Sequence, residues 1–133
     1  MMVSFCRTDG VMKGGIIILL DKSKKFSFMI IDLYLYMINK NEFVLSKQIL
    51  RSGTSIGANV RENRNAQSEA DFINKLSIAL KEADETEYWL EVMEKSEIIT
   101  IEQVESLNSD LSEIIAMLIK SIKTVKKKLE LER

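Results

Sequence analysis

Residues 100–129, TIEQVESLNSDLSEIIAMLIKSIKTVKKKL, place Val104, Leu107, Leu111, Ile114, Leu118, Ile122, Val125 and Leu129 at steps of three or four. That spacing stacks side chains on one face of an α-helix, and no glycine or proline interrupts it. Thr100 and Gln103 form a T-x-x-Q capping box, which supplies partners for the first free backbone N–H groups and marks the helix start. Ile115 and Ile119 add a second apolar edge beside the first. One intramolecular seam does not need both edges, so a subunit contact is expected on this helix.

The same period recurs upstream. Ser68 followed by Asp71 gives a capping start to a third helix, whose stripe runs Phe72, Leu76, Ala79, Leu80, Ala83 and Leu90. Trp89 and Met93 widen that stripe, and Ser96-Glu97 marks its end. A second helix over 43–65 aligns Leu45, Ile49, Ser52, Ile56 and Val60, and a first over 22–40 aligns Phe26, Met29, Ile30, Leu33, Met37 and Ile38. The connections are short, which makes successive helices antiparallel neighbours. The expected fold is all-α, an antiparallel up-down-up-down four-helix bundle. Composition agrees: no proline, five glycines, 46% hydrophobic residues and a net charge of −1 favour helices and disfavour disorder.

A chain of 133 residues fits one domain. Residues 16–133 are assigned to the bundle, with the β-branched run Ile16 to Ile18 as a lead-in to the first helix. Residues 1–15 have no periodicity and hold the Gly14-Gly15 pair, so they read as a flexible extension compatible with read-through upstream of a start at Met12. The longest apolar run, Ile16 to Leu20, is far short of the ~18–20 residues of a membrane span. The lone Cys6 has no partner for an intramolecular disulfide, which suits a reducing, cytoplasmic setting.

The chain has no histidine, so the commonest general base near neutral pH is missing. No nucleophile elbow, Ser-x-x-Lys motif or phosphate loop takes its place. The carboxylates Glu82, Asp84, Glu85 and Glu87 invite comparison with dinuclear metal bundles, but those use Glu-x-x-His pairs. The expectation is a protein that is not an enzyme, with no cofactor, no metal, no membrane and no small-molecule substrate.

Two stretches stand out as candidates for contact. In Arg51 to Asn59, Gly53 and Gly57 each cost a helix ~1 kcal/mol relative to alanine, so close approach of a neighbouring helix is expected to compensate. Ser52, Gly53, Ile56, Gly57, Asn59 and Glu62 are therefore assigned to bundle or subunit packing, together with Glu82, Trp89, Ile115 and Ile119. Glu82 or Glu87 is expected to pair with Arg51, Arg61 or Arg64 in a partly buried network. The run Lys120, Lys123, Lys126, Lys127 and Lys128 is read as outward-facing, where it complements the helix dipole. With Arg51, Arg61 and Arg64 it forms the candidate contact set for RNA or DNA phosphates, binding that would be non-specific and salt-sensitive.

The segment EFVLSKQILRSGTSIGANVRE at 42–62 is followed by Gln67-Ser68, Asp71-Phe72, IALKEA at 78–83 and ETEYWL at 85–90. Together these closely resemble the four-helix bundle proteins encoded in 23S rRNA intervening sequences, a likeness running from about Lys22 to the end of the fourth helix. The resemblance implies an up-and-down bundle assembled into a homo-oligomeric ring, typically of five subunits, with no established enzymatic activity. Arg51 to Glu62 and Glu82 to Leu90 carry over as bundle and ring-contact positions. A related branch resembles accessory proteins of diversity-generating retroelements, whose basic rings engage a reverse transcriptase and nucleic acid. This chain departs from that branch in its pI of about 5.6.

Overall fold

The computed structural model describes residues 10–132. Among the described residues the helices are α1 (Gly10–Asn39), α2 (Leu45–Glu62), α3 (Glu69–Lys95) and α4 (Ile101–Leu131), with a 3-10 turn at Asn63–Asn65 after α2. Each helix packs on the next and α4 closes on α1, the thinnest of the four seams. This is the up-down four-helix bundle.

The core is built from the periodic stripes. Phe26, Ile30 and Met37 of α1 are fully buried with Ile49, Ile56 and Val60 of α2, Phe72, Leu76 and Leu90 of α3, and Leu111, Ile114 and Leu118 of α4. Met29 and Ile38, expected in the core, are half-buried at its edge. The first helix begins earlier than its periodicity indicated. Gly10 to Asp21 belong to α1, where Ile16 and Leu19 extend the buried face downward, so residues 10–15 of the expected flexible extension are helical. Residues 1–9, Cys6 among them, lie outside the described residues.

The ends obey local chemistry. Ser68 Oγ accepts from the Asp71 N–H at 3.0 Å, and Thr100 and Gln103 make both halves of the capping box, at 3.2 and 2.8 Å. The helices α1 and α3 stop at left-handed residues, Asn41 (φ 64°) and Glu97 (φ 60°). At each, two reversed bonds close the end: Glu42 N–H to Met37 O (2.9 Å) with Asn41 N–H to Ile38 O (3.0 Å), and Ile98 N–H to Met93 O (2.9 Å) with Glu97 N–H to Glu94 O (3.0 Å). Both reversals lie at one end of the bundle. The α2–α3 connection and the end of α4 lie at the other.

Glycine sets the α1–α2 distance. A Cβ on Gly53 would stand 2.7–2.9 Å from three side-chain carbons of Ile30, and one on Gly57 would stand 3.2 Å from the Ser23 carbonyl oxygen. The stretch expected to admit a close neighbour does so, and the neighbour is α1.

Candidate functional site

The α2–α3 seam carries the densest polar cluster. Arg51 Nη1 donates to Glu82 Oε2 at 3.1 Å, its Nη2 donates to Glu85 Oε2, and Trp89 Nε1 donates to the same Glu85 oxygen at 3.0 Å. Beneath them the Ser52 and Thr86 hydroxyls share a hydrogen bond of 3.0 Å, and Thr86 Oγ1 also donates to the Glu82 carbonyl at 2.8 Å. Both residues are fully buried. The expected arginine–glutamate network exists, with one correction: Glu85 takes the place given to Glu87. Residues 82, 85, 86 and 89 share the edge of α3 turned toward α2, whereas Glu87 points to the opposite, exposed edge. Chemically the cluster fixes register. The guanidinium pairs with two carboxylates, and the Arg51 side chain is half open to solvent, so the ion pairs contribute little stability of their own.

The packing candidates divide by depth. Ser52, Gly53 and Ile56 are buried, while Gly57, Asn59, Glu82, Trp89 and Ile115 are half-buried. Asn59 Nδ2 donates to Ser55 O within its own helix at 2.8 Å, and Glu62 is exposed. Ile115 packs against the core, and Ile119 is left 38% exposed. More apolar surface lies elsewhere, on α1, where Ile17 (56% exposed), Phe28 (59%), Ile31 and Leu35 (52%) share one outward face. The core-facing stripe does not mark this face, because it records only the side of α1 turned toward the other helices. Its own signal, apolar residues at 17, 28, 31 and 35, was present.

The basic candidates also divide. Lys120, Lys123, Lys126 and Lys127 are exposed near the end of α4, and Arg61 and Arg64 are exposed at the end of α2, which an up-down fold brings to the same end of the bundle. Two members are already engaged: Arg51 with its carboxylates, and Lys128, half-buried, with Glu69 Oε1 at 3.0 Å. The outward reading of the lysine run therefore fails at Lys128. Another lysine, Lys22, bonds Glu113 Oε2 at 2.7 Å, and that hydrogen bond and charge hold its ammonium above the ordinary lysine range.

Charge is segregated along the bundle. Cut at the level where Gly53 meets Ile30, the half containing 14–30, 54–81 and 110–132 carries 12 Lys and Arg against 8 Asp and Glu, a net +4. The half containing 31–53 and 82–109 carries 4 against 11, a net −7. The near-neutral total hides a dipolar molecule. Among the described residues, no three acidic or thiol side chains converge as a metal site would need, and no helix is long and apolar enough to cross a membrane.

The family model for the 23S rRNA-intervening sequence protein matches residues 17–120. The chain belongs to that family. A solved structure with the same fold is a protein of unknown function from the S23 ribosomal protein family of Bacteroides thetaiotaomicron VPI-5482. It is 59% identical, with a TM-score of 0.80, and the match covers 82% of this chain and 98% of that one. No curated protein matches. For this intervening-sequence family member, the matched span takes in the whole α2–α3 network and the exposed α1 face.

Proposed function

We propose that this chain is a non-enzymatic, homo-oligomeric helical scaffold, with five copies the number its family likeness favours. The observation that carries the reading is the α1 face of Phe28, Ile31 and Leu35, which none of the other three helices covers. Contiguous exposed apolar surface on a small protein marks a contact with another molecule, because leaving it in water forfeits ~25 cal/mol per Å². Support for a non-enzymatic role comes from the missing histidine and from the α2–α3 network, whose charged groups are spent on one another. Light scattering coupled to size exclusion tests the assembly. A mass five times 15.3 kDa is expected, and a stable monomer at micromolar concentration would overturn the proposal.

A second reading, contact with nucleic acid, is favoured by the charge segregation. In a ring of parallel copies, the ends bearing Arg61, Arg64, Lys123, Lys126 and Lys127 would gather on one side, and clustered cations displace the counterions of a phosphate backbone. RNA affinity should then fall steeply between ~50 and ~200 mM salt. It should weaken further in Lys126→Glu/Lys127→Glu and stay unchanged in Lys95→Glu, at the acidic end. Absence of binding at the lowest salt would remove this reading.

A further inference from the structure

We propose that the corner where α2 gives way to α3 holds an internal water site, built on the side-chain amide of Asn63. The site does not depend on how copies of the chain assemble.

Asn63 stands at a core position. The buried residues of α2 include Ile49, Ser52, Gly53, Ile56 and Val60, and Asn63 is the next step of that stripe. Arg61, Glu62, Arg64 and Asn65 around it are exposed, whereas Asn63 itself is fully buried. Its main chain is engaged, since the Ala66 N–H donates to the Asn63 carbonyl at 3.2 Å. Its side chain is not: among the described residues neither Oδ1 nor Nδ2 has a hydrogen-bond partner. Exchanging the two ends of the amide alters nothing, because both are unpartnered. The core at this end of the bundle consists of Leu19, Val60, Ala66, Phe72 and Leu76, none of which has a polar side-chain atom to offer.

An amide enclosed without partners forfeits the bonds it makes to water in the unfolded chain, a loss that an ordered water inside the fold removes. The pattern of donor and acceptor selects the occupant. Nδ2 only donates and Oδ1 only accepts, so a molecule beside them must both accept and donate. A metal cation would leave Nδ2 without an acceptor, and an anion would be opposed by Oδ1. A second unpartnered atom belongs to the same corner. Glu69, the first residue of α3, pairs one oxygen with Lys128 Nζ at 3.0 Å, while its Oε2 is enclosed with no hydrogen-bond partner in the protein. That oxygen is an acceptor, which water also serves. The bundle is thus dry along its aliphatic stripes and wet where α2 ends, beside the exposed Arg61 and Arg64.

A high-resolution crystal structure of the full chain tests the site directly. Ordered solvent is expected at roughly 2.7–3.2 Å from Oδ1 or Nδ2 of Asn63. An amide bonded to a protein group instead, or one with no solvent beside it, would overturn the proposal. Oxygen-17 relaxation dispersion of water, which responds to enclosed molecules of long residence, supplies the reading in solution. Asn63→Leu, checked for helical content by circular dichroism, continues the aliphatic stripe and removes both polar atoms, so its dispersion amplitude should fall below that of the wild type. Asn63→Met serves if that variant unfolds. Equal amplitudes in variant and wild type would also sink the proposal, because the enclosed solvent would then be held by something other than Asn63.

Discussion

Gly53→Val is expected to lower the free energy of unfolding by about 3 kcal/mol, one of the two largest single-residue effects anticipated here. The β-carbon alone would meet the Cγ1, Cγ2 and Cδ1 atoms of Ile30 at 2.7–2.9 Å. Ile30 has nowhere to go: it is fully buried, and a β-branched side chain in a helix is nearly fixed at its first torsion. Gly53→Ala should destabilise too, by less, because alanine recovers ~1 kcal/mol of helix propensity against the overpacking. Gly57→Ala is the control. Its Cβ would sit at 3.2–3.4 Å from Ser23 and Ser27, a crowding relieved by a shift of a few tenths of an ångström, so its net effect should stay within ~1 kcal/mol. Urea denaturation at one fixed protein concentration measures all three, since the proposed assembly would make apparent stability depend on concentration. A Gly53→Ala protein more stable than wild type would show that close packing on Ile30 is not what glycine provides.

The second large effect is expected at the buried hydroxyl pair. Thr86→Val keeps the shape of the side chain but strips Ser52 Oγ of its partner on α3, inside a region closed to water. An orphaned buried polar group costs ~1–3 kcal/mol. Adding Ser52→Ala removes the orphan, so the double variant should be more stable than Thr86→Val alone, a non-additivity that a double-mutant cycle reads directly. Strict additivity would mean that the two hydroxyls contribute independently and do not tie α2 to α3.

Removing the surface ion pairs of Arg51 would give a smaller effect than either change, because that guanidinium is half exposed and its pairs are screened. What the seam draws from Arg51, Glu82, Glu85 and Trp89 is register: one glutamate accepts from both an arginine and an indole, which fixes the turn of α3 that faces α2. The buried pair and the glycine contact then hold α2 on its two sides, against α3 and against α1. That arrangement explains why so little of α2 is aliphatic while the helix is nonetheless central to the core.

The bundle, the starts of α3 and α4 and the core were legible in the chain because each depends on neighbours three or four residues away. Thr100 and Gln103, Ser68 and Asp71, and the Val104-to-Leu129 stripe are local signals, and local signals survive without knowledge of the fold. The small-residue stretch announced a close approach for the same reason, since glycine's cost within a helix must be offset by something. The identity of the approaching surface, Ile30 with Ser23 and Ser27, depended on where α1 lies. Likewise the choice of Glu85 over Glu87, the capture of Lys128 by Glu69, and the uncovered α1 face all turn on which edge of a helix meets which neighbour. Periodicity reports that a helix has a buried side. Only the assembled bundle decides which of its remaining sides is covered, which is left exposed, and how a nearly neutral set of charges is drawn apart into a basic end and an acidic one.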